Sequence, residues 1–318
     1  MNAAVLHALG KIPRFEQFPE PVSAEGEVVV RVCAAALKPV DKQMAAGTHY
    51  ASFRELPVVC GLDGVGHLDD GSRVFFAGPR RPYGAMAERT VVRRAQCFAA
   101  PDSLSDDMAA ALPNPGVSAW LTLKERAKLA PGETVLILGA TGVTGKLAVQ
   151  IAKILGAGRV IAAGRNEKAL NSLLELGADA TIQSDKTGVE LTKVFAREAS
   201  DKGFQVVIDY LWGPPTEALL AALTRNEFAA IGRETRLVQV GESAGAAISL
   251  PAAVLRSAPL TIMGTAGMPA PEILTDALQQ VLAYGASGKL RIDTERVPLI
   301  DVESAWQREG RSRLVFIP

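Results

Sequence analysis

Three cysteines and three histidines in 318 residues leave little material for metal or redox chemistry. Cys33, Cys60 and Cys97 are scattered without CxxC spacing, so neither a disulfide framework nor a thiolate zinc site is indicated, and each is expected as a small buried apolar residue. His7, His49 and His67 form no metal-like cluster, and no Ser/His/Asp order has sequence support. An excess of charge is also missing. With 34 basic and 34 acidic residues the net charge is zero, which argues against a nucleic acid or a membrane surface recruited by bulk charge. No apolar run approaches a membrane span, and the opening MNAAVLHALGKIPRFEQ lacks the h-region and cleavage site of a signal peptide, so a cytoplasmic location is expected. Internal repeats and low-complexity tails are absent as well.

What is present is concentrated in residues 135–165, VLILGATGVTGKLAVQIAKILGAGRVIAAGR. An apolar strand, a glycine turn, a helix with apolar residues at Leu147, Ile151, Ile154 and Leu155, and a second strand follow without interruption, which predicts a dinucleotide-binding βαβ unit. Ala140, Gly142 and Gly145 take the three small-residue positions of GxGxxG. With Thr141, Val143 and Thr144 they form the predicted pyrophosphate cradle at the positive end of the helix. A phosphate-loop reading of Gly145-Lys146 fails on spacing, because Ala140 replaces the first glycine and Leu147 the magnesium-binding Ser or Thr.

The end of the second strand bears on the cofactor. An NAD site usually carries Asp or Glu there for the ribose 2'-hydroxyl, whereas a 2'-phosphate requires its absence and a nearby cation. Here the residues are Gly164, Arg165 and Asn166, with Lys168 close behind, so NADPH is favoured over NADH. The alternative is that Arg165 and Lys168 are ordinary solvated residues opening a helix. Further on, Asp209 and the loop Tyr210-Leu211-Trp212-Gly213 fall where a doubly wound sheet opens toward its ligand, although Trp212 serves equally well as packing.

A change of period along the chain predicts two domains, the default for this length. Short β-rich runs at 27–36, 72–77, 85–92 and 96–99 give way after Pro131-Gly132 to alternating strands and helices, with strands near 180–182, 205–209, 237–241 and 260–264. Beyond a helix at about 271–284, the runs 295–299 and 313–317 read again as isolated strands. The chain is therefore expected to return to its first domain, giving 1–115 with 266–318 as one body and 116–265 as the nucleotide-binding body. The active site is expected in the cleft between them.

Four stretches then carry a resemblance over nearly the whole chain: LKPVDKQMAAGTHY, LPVVCGLDGVGHL, PYGAMAERTVV and ATGVTG. They resemble the medium-chain dehydrogenase/reductase superfamily, and its quinone oxidoreductase branch most closely. The resemblance implies an α/β fold in which a Rossmann doubly wound parallel sheet is inserted into a GroES-like, mainly β substrate domain. Zinc-dependent members place their metal ligands at positions that fall here on Lys38, Leu62 and Asn114, none of them a Cys or His, and the cysteine-rich lobe of some relatives is missing. No metal is therefore expected.

Without a Lewis acid on the carbonyl oxygen, the easier task is hydride addition to an acceptor that is already electron-poor. The resemblance implies an NADPH-dependent reductase of quinones or α,β-unsaturated carbonyls that works without zinc. Lys38 stands where related quinone reductases have Asn, and it serves either as a cation beside the substrate oxygen or as half of a local ion pair with Asp41. Tyr50 and Asn114 are candidates to hydrogen-bond that oxygen, or simply to pack. Ser118 and Gly241 resemble residues bordering the nicotinamide. Arg313 resembles a basic residue near the cofactor phosphates, with a surface role as the alternative. Tyr83 and Arg81 sit in a loop that is a candidate border of the substrate mouth, and the Arg93-Arg94 pair reads as a solvated charge run. The last Rossmann strand, around Met263-Gly264, implies a homodimer. Two other readings stay open, a metal-dependent alcohol dehydrogenase and an NADPH-binding protein without strong catalysis.

Overall fold

The computed structural model describes the chain except residues 200–202, 225–233, 266, 268, 309 and 311. It divides into two compact units, Met1–Asn114 with Gln279–Pro318, and Pro115–Leu278. The first crossing thus lies beside residue 115, and the second lies inside a helix, beyond the 265/266 boundary read from the sequence.

In chain order the strands are β1 (Asn2–Leu6), β2 (Arg14–Gln17), β3 (Glu27–Ala36), β4 (Val58–Val59), β5 (Asp63–His67), β6 (Arg73–Ala77), β7 (Arg89–Arg93), β8 (Cys97–Ala99), β9 (Thr134–Leu138), β10 (Arg159–Gly164), β11 (Ala180–Gln183), β12 (Val206–Asp209), β13 (Thr235–Gln239), β14 (Leu260–Gly264), β15 (Thr294–Pro298) and β16 (Arg313–Ile317). The α-helices are α1 (Pro39–Ala46), α2 (Asp106–Ala111), α3 (Pro113–Leu121), α4 (Val143–Ile154), α5 (Glu167–Glu175), α6 (Gly188–Ala199), α7 (Pro214–Leu223), α8 (Ala252–Ser257), α9 (Pro271–Ala286) and α10 (Val302–Ala305).

The first unit is a mainly β body. A small sheet runs β2-β1-β4, and a larger one runs β15-β16-β3-β5-β6-β8 with β7 also paired to β3. The returning strand β16 lies antiparallel to β3, which is how the end of the chain is bound to its beginning. The core gathers Leu6, Phe76, Met86, Trp306 and Phe316 from both ends of the sequence.

The second unit is a six-stranded parallel sheet in the order β11-β10-β9-β12-β13-β14. Two βαβ halves diverging from β9 and β12 give this doubly wound order. β9 is buried at every position, as its sequence TVLIL requires of a central parallel strand covered on both faces. On one face the core joins Leu136, Leu138 and Ile161 to Phe195, Phe204 and Leu219, each fully buried side chain contributing about 1.5–3 kcal/mol of apolar transfer.

Candidate active site

The cofactor cradle is built where β9 turns into α4. Gly139 takes φ 81°, a left-handed conformation that strains any residue with a Cβ. The N–H groups of Gly139 and Ala140 both donate to the Ala163 carbonyl, at 3.0 and 2.9 Å, so the turn is fastened to β10. Gly145 is fixed by contact, since a Cβ there would stand 2.4 Å from the Gly139 carbonyl oxygen. Gly142 caps α4 without a side-chain hydrogen bond, leaving the first N–H groups of the helix for an anion.

At the end of β10 the structure places Gly164 against Thr141, then Arg165 and Lys168, both exposed. Asn166 has a structural job that uses only its side-chain oxygen. Its Oδ1 accepts from the Ala169 N–H at 2.8 Å and caps α5, because a helix start needs an acceptor there. Ser184, which the sequence reading passed over, follows β11 with its N–H bonded to the Gly164 carbonyl at 2.9 Å. Its hydroxyl is buried without a hydrogen-bond partner among the described residues. Only its place one residue past a strand end marked it in the sequence.

Asp209 organises the next loop. Its carboxylate is buried and accepts from the Leu211 N–H at 2.8 Å, the Trp212 N–H at 2.9 Å and the Thr216 hydroxyl at 2.5 Å. Burial holds its pKa above the usual carboxylate value, against the pull of those three donors. The same bonds hold Trp212 at φ 56°, where a bulky residue is strained. Trp212 lines a cavity of about 430 Å³ with Gln239, Glu242, Ile262, Met263 and Gly264. It also packs on the sheet core, which is the packing role that the sequence offered as the alternative. Gly241 closes the loop, its N–H bonded to the Asp209 carbonyl at 3.1 Å and its Cβ position 2.8 Å from the Tyr210 carbonyl oxygen. Ser118 is half-buried in α3, its carbonyl accepting from the Thr122 hydroxyl at 2.7 Å.

In the first unit the structure decides between the two readings of Lys38, in favour of the local ion pair with Asp41, and corrects the expectation for Arg313. Lys38 does not present its ammonium to a substrate. It is 2% exposed and bonded to Asp63 Oδ1 at 2.9 Å and the Ala36 carbonyl at 3.0 Å, with Asp41 Oδ2 at 3.3 Å. Burial alone would depress its pKa, but Asp41 and Asp63 more than reverse this and raise it above the ordinary lysine value. Arg313 is likewise committed inside this unit rather than offered to phosphates, buried near Asp41 and Asp63 with Nη1 donating to the Leu37 carbonyl at 2.8 Å. The physical reason is the same for both, since a buried carboxylate pair demands cations beside it. Tyr50, in contrast, is 97% exposed with its ring 4.1 Å from that of His49, and Asn114 is exposed in the first turn of α3. Arg81 stacks on Phe53 at 4.2 Å, and Tyr83 bonds back to the Glu20 carbonyl.

Comparison with known proteins then fixes the lineage. Residues 143–283 match the zinc-binding dehydrogenase family. The quinone oxidoreductase-like protein 2 homolog of Nematostella vectensis is 30% identical over 257 residues, covering 76% of this chain and 67% of that protein. The chain belongs to the medium-chain dehydrogenase/reductase superfamily, in its quinone oxidoreductase branch. The 2-methylene-furan-3-one reductase of Solanum lycopersicum is 34% identical over 188 residues, 54% of this chain and 48% of that one. Among solved structures, the quinone oxidoreductase from Thermus thermophilus, studied also as its NADPH complex, superposes with a TM-score of 0.83 at 29% identity over the full length of both chains.

The family description raises the question of zinc, and the donor set answers it. Lys38, Leu62 and Asn114 offer an ammonium already bonded to a carboxylate, an alkyl group and a carboxamide. Zinc selects thiolate, imidazole and carboxylate ligands, so these residues do not fit it. For NADPH the residues do fit, through the Gly139–Gly145 turn, the bare start of α4 and the carboxylate-free end of β10.

Proposed function

We propose that this member of the branch is an NADPH-dependent reductase that delivers hydride to a quinone or an α,β-unsaturated carbonyl without zinc. The observation that carries the cofactor half is the end of β10, where an uncharged Gly164 and the cation Arg165 stand in place of the carboxylate of an NAD site. The names of the relatives, a quinone oxidoreductase and a methylene-furanone reductase, supply the two acceptor classes. Both can take hydride at carbon and spread the resulting charge onto an oxygen, so a metal on that oxygen is dispensable.

NADPH, when bound, supplies the hydride. The chain's own residues do the rest. Ala140 to Gly145 and the start of α4 hold the pyrophosphate, Arg165 the 2'-phosphate, and Gly241 and Ser118 border the nicotinamide. The exposed Tyr50 hydroxyl and Asn114 carboxamide are the groups we assign to the substrate oxygen, each a neutral hydrogen-bond donor. Among the described residues the outer edge of β14 is unpaired within its sheet, and a second copy pairing along it is the homodimer we propose, with a light-scattering mass of twice 33.5 kDa as its check. We assign the protein to the cytoplasm, an assignment that a fluorescent fusion found outside that compartment would contradict.

The test is NADPH oxidation by chelator-treated protein with an ortho-quinone and an enal offered separately. Turnover on at least one, unchanged by the chelator and faster with NADPH than with NADH, is the expected result. No turnover on either, despite tight NADPH binding, would remove the reductase reading.

A further inference from the structure

The Lys38 ammonium has three N–H groups and three oxygens around it. It donates to the Ala36 carbonyl at 3.0 Å and to Asp63 Oδ1 at 2.9 Å, and Asp41 Oδ2 lies at 3.3 Å. Two of its N–H groups are thus hydrogen-bonded and the charge is paired with Asp41, and at 2% exposure there is no room for a substrate beside it. This is the arrangement of an ion in its coordination shell rather than of a proton donor. Three elements supply the shell: Ala36 ends β3, Asp41 lies in the first turn of α1, and Asp63 opens β5. Asp41 also accepts from the Lys38 backbone N–H at 2.9 Å, while its Oδ1 is buried with no hydrogen-bond partner among the described residues. Two buried carboxylates thus face two buried cations, Lys38 and Arg313, and removing either cation leaves a negative charge where water cannot reach it.

We propose that Lys38 is the resident cation of an anionic pocket made by Asp41, Asp63 and the Ala36 carbonyl, and that clearing the side chain from this pocket creates a site for a small primary ammonium ion. The chain carries covalently, as a side chain, the positive charge that this pocket needs. Lys38 is then a positioning residue that ties β3, α1 and β5 together, and the chain from α1 leads through Gly47 to Tyr50. This claim stands apart from the reductase reading, because its readout is unfolding and not turnover.

The experiment compares thermal unfolding of the wild-type chain and Lys38→Ala in sodium, ethylammonium and tetramethylammonium chlorides at equal ionic strength. Breaking a buried charge pair in a chain of this size lowers the Tm by on the order of 10 °C, and that is the expected loss in sodium chloride. Ethylammonium, a donor of N–H groups small enough for the vacated space, raises the Tm of the variant by a few degrees and leaves the wild type unmoved, whereas tetramethylammonium moves neither protein. A variant as stable as the wild type, or one that responds equally to both organic cations, overturns the proposal. If Lys38→Ala fails to fold, Lys38→Met is compared with Lys38→Met/Asp63→Asn, which removes the cation and one counter-charge together. Recovery of Tm in the double variant supports the resident cation, and a double variant no more stable than the single one refutes it.

Discussion

At Gly164 a side chain has nowhere to go, since a Cβ would stand 2.6 Å from Thr141 Cγ2 and 3.1 Å from its hydroxyl. A carboxylate there would in addition repel a 2'-phosphate. Gly164→Asp is therefore expected to raise the Kd of NADPH roughly 30-fold or more. Arg165→Ala, which removes charge without adding bulk, should cost NADPH about tenfold and NADH almost nothing. Calorimetric titration of both cofactors separates the two effects, and an equal loss for NADH and NADPH in Arg165→Ala would show that Arg165 does not read the phosphate. The glycine and the arginine were legible in the sequence because each acts through what it lacks or carries. For Lys38 only the pairing with Asp41 was legible, because the second partner, Asp63, lies 25 positions away and meets it only in the folded sheet.

Among the elements, the loop after β12 depends on one carboxylate that accepts two N–H groups and a hydroxyl. Asp209→Ala leaves those donors unsatisfied around a backbone already strained at Trp212, and should lower stability by about 1–3 kcal/mol and weaken cofactor binding. Asp209→Asn keeps an acceptor oxygen for the two N–H groups, and its amide can donate to Thr216, so most of that stability should remain. Denaturant unfolding of the two variants checks this, and equal losses would mean that the charge, and not the hydrogen-bonding, holds the loop.

The parallel strands around this loop announced themselves as continuous apolar runs, TVLIL above all. β1, β2, β4 and β5 did not. β5 reads DGVGH, a poor strand by propensity, yet a Cβ at Gly64 would stand 2.7 Å from the Ala34 carbonyl oxygen and one at Gly66 2.2 Å from that of Arg31. The glycines are there because β3 approaches so closely, and that is a tertiary requirement invisible in local pattern. For the same reason the run 85–92 becomes a strand only from Arg89, since Ala85 and Met86 give their N–H groups to Gly61 and Cys60.

Taken as a whole molecule, the chain joins a nucleotide-binding sheet of the doubly wound order to a β-rich unit whose ends meet at β3 and β16. The positions that hold zinc in related dehydrogenases carry groups that do not fit it, and the cation bonded to Asp63 is the chain's own Lys38. The central claim that follows is hydride transfer to an electron-poor carbon, and isotopic labelling tests it most directly. The wild-type protein is incubated with an enone and NADPH carrying deuterium at the transferable C4 position, and the product is read by NMR and mass spectrometry. The account predicts one deuterium per product molecule, placed at the β carbon and insensitive to chelator. Product without deuterium, or deuterium on a carbinol carbon with the double bond intact, would contradict it.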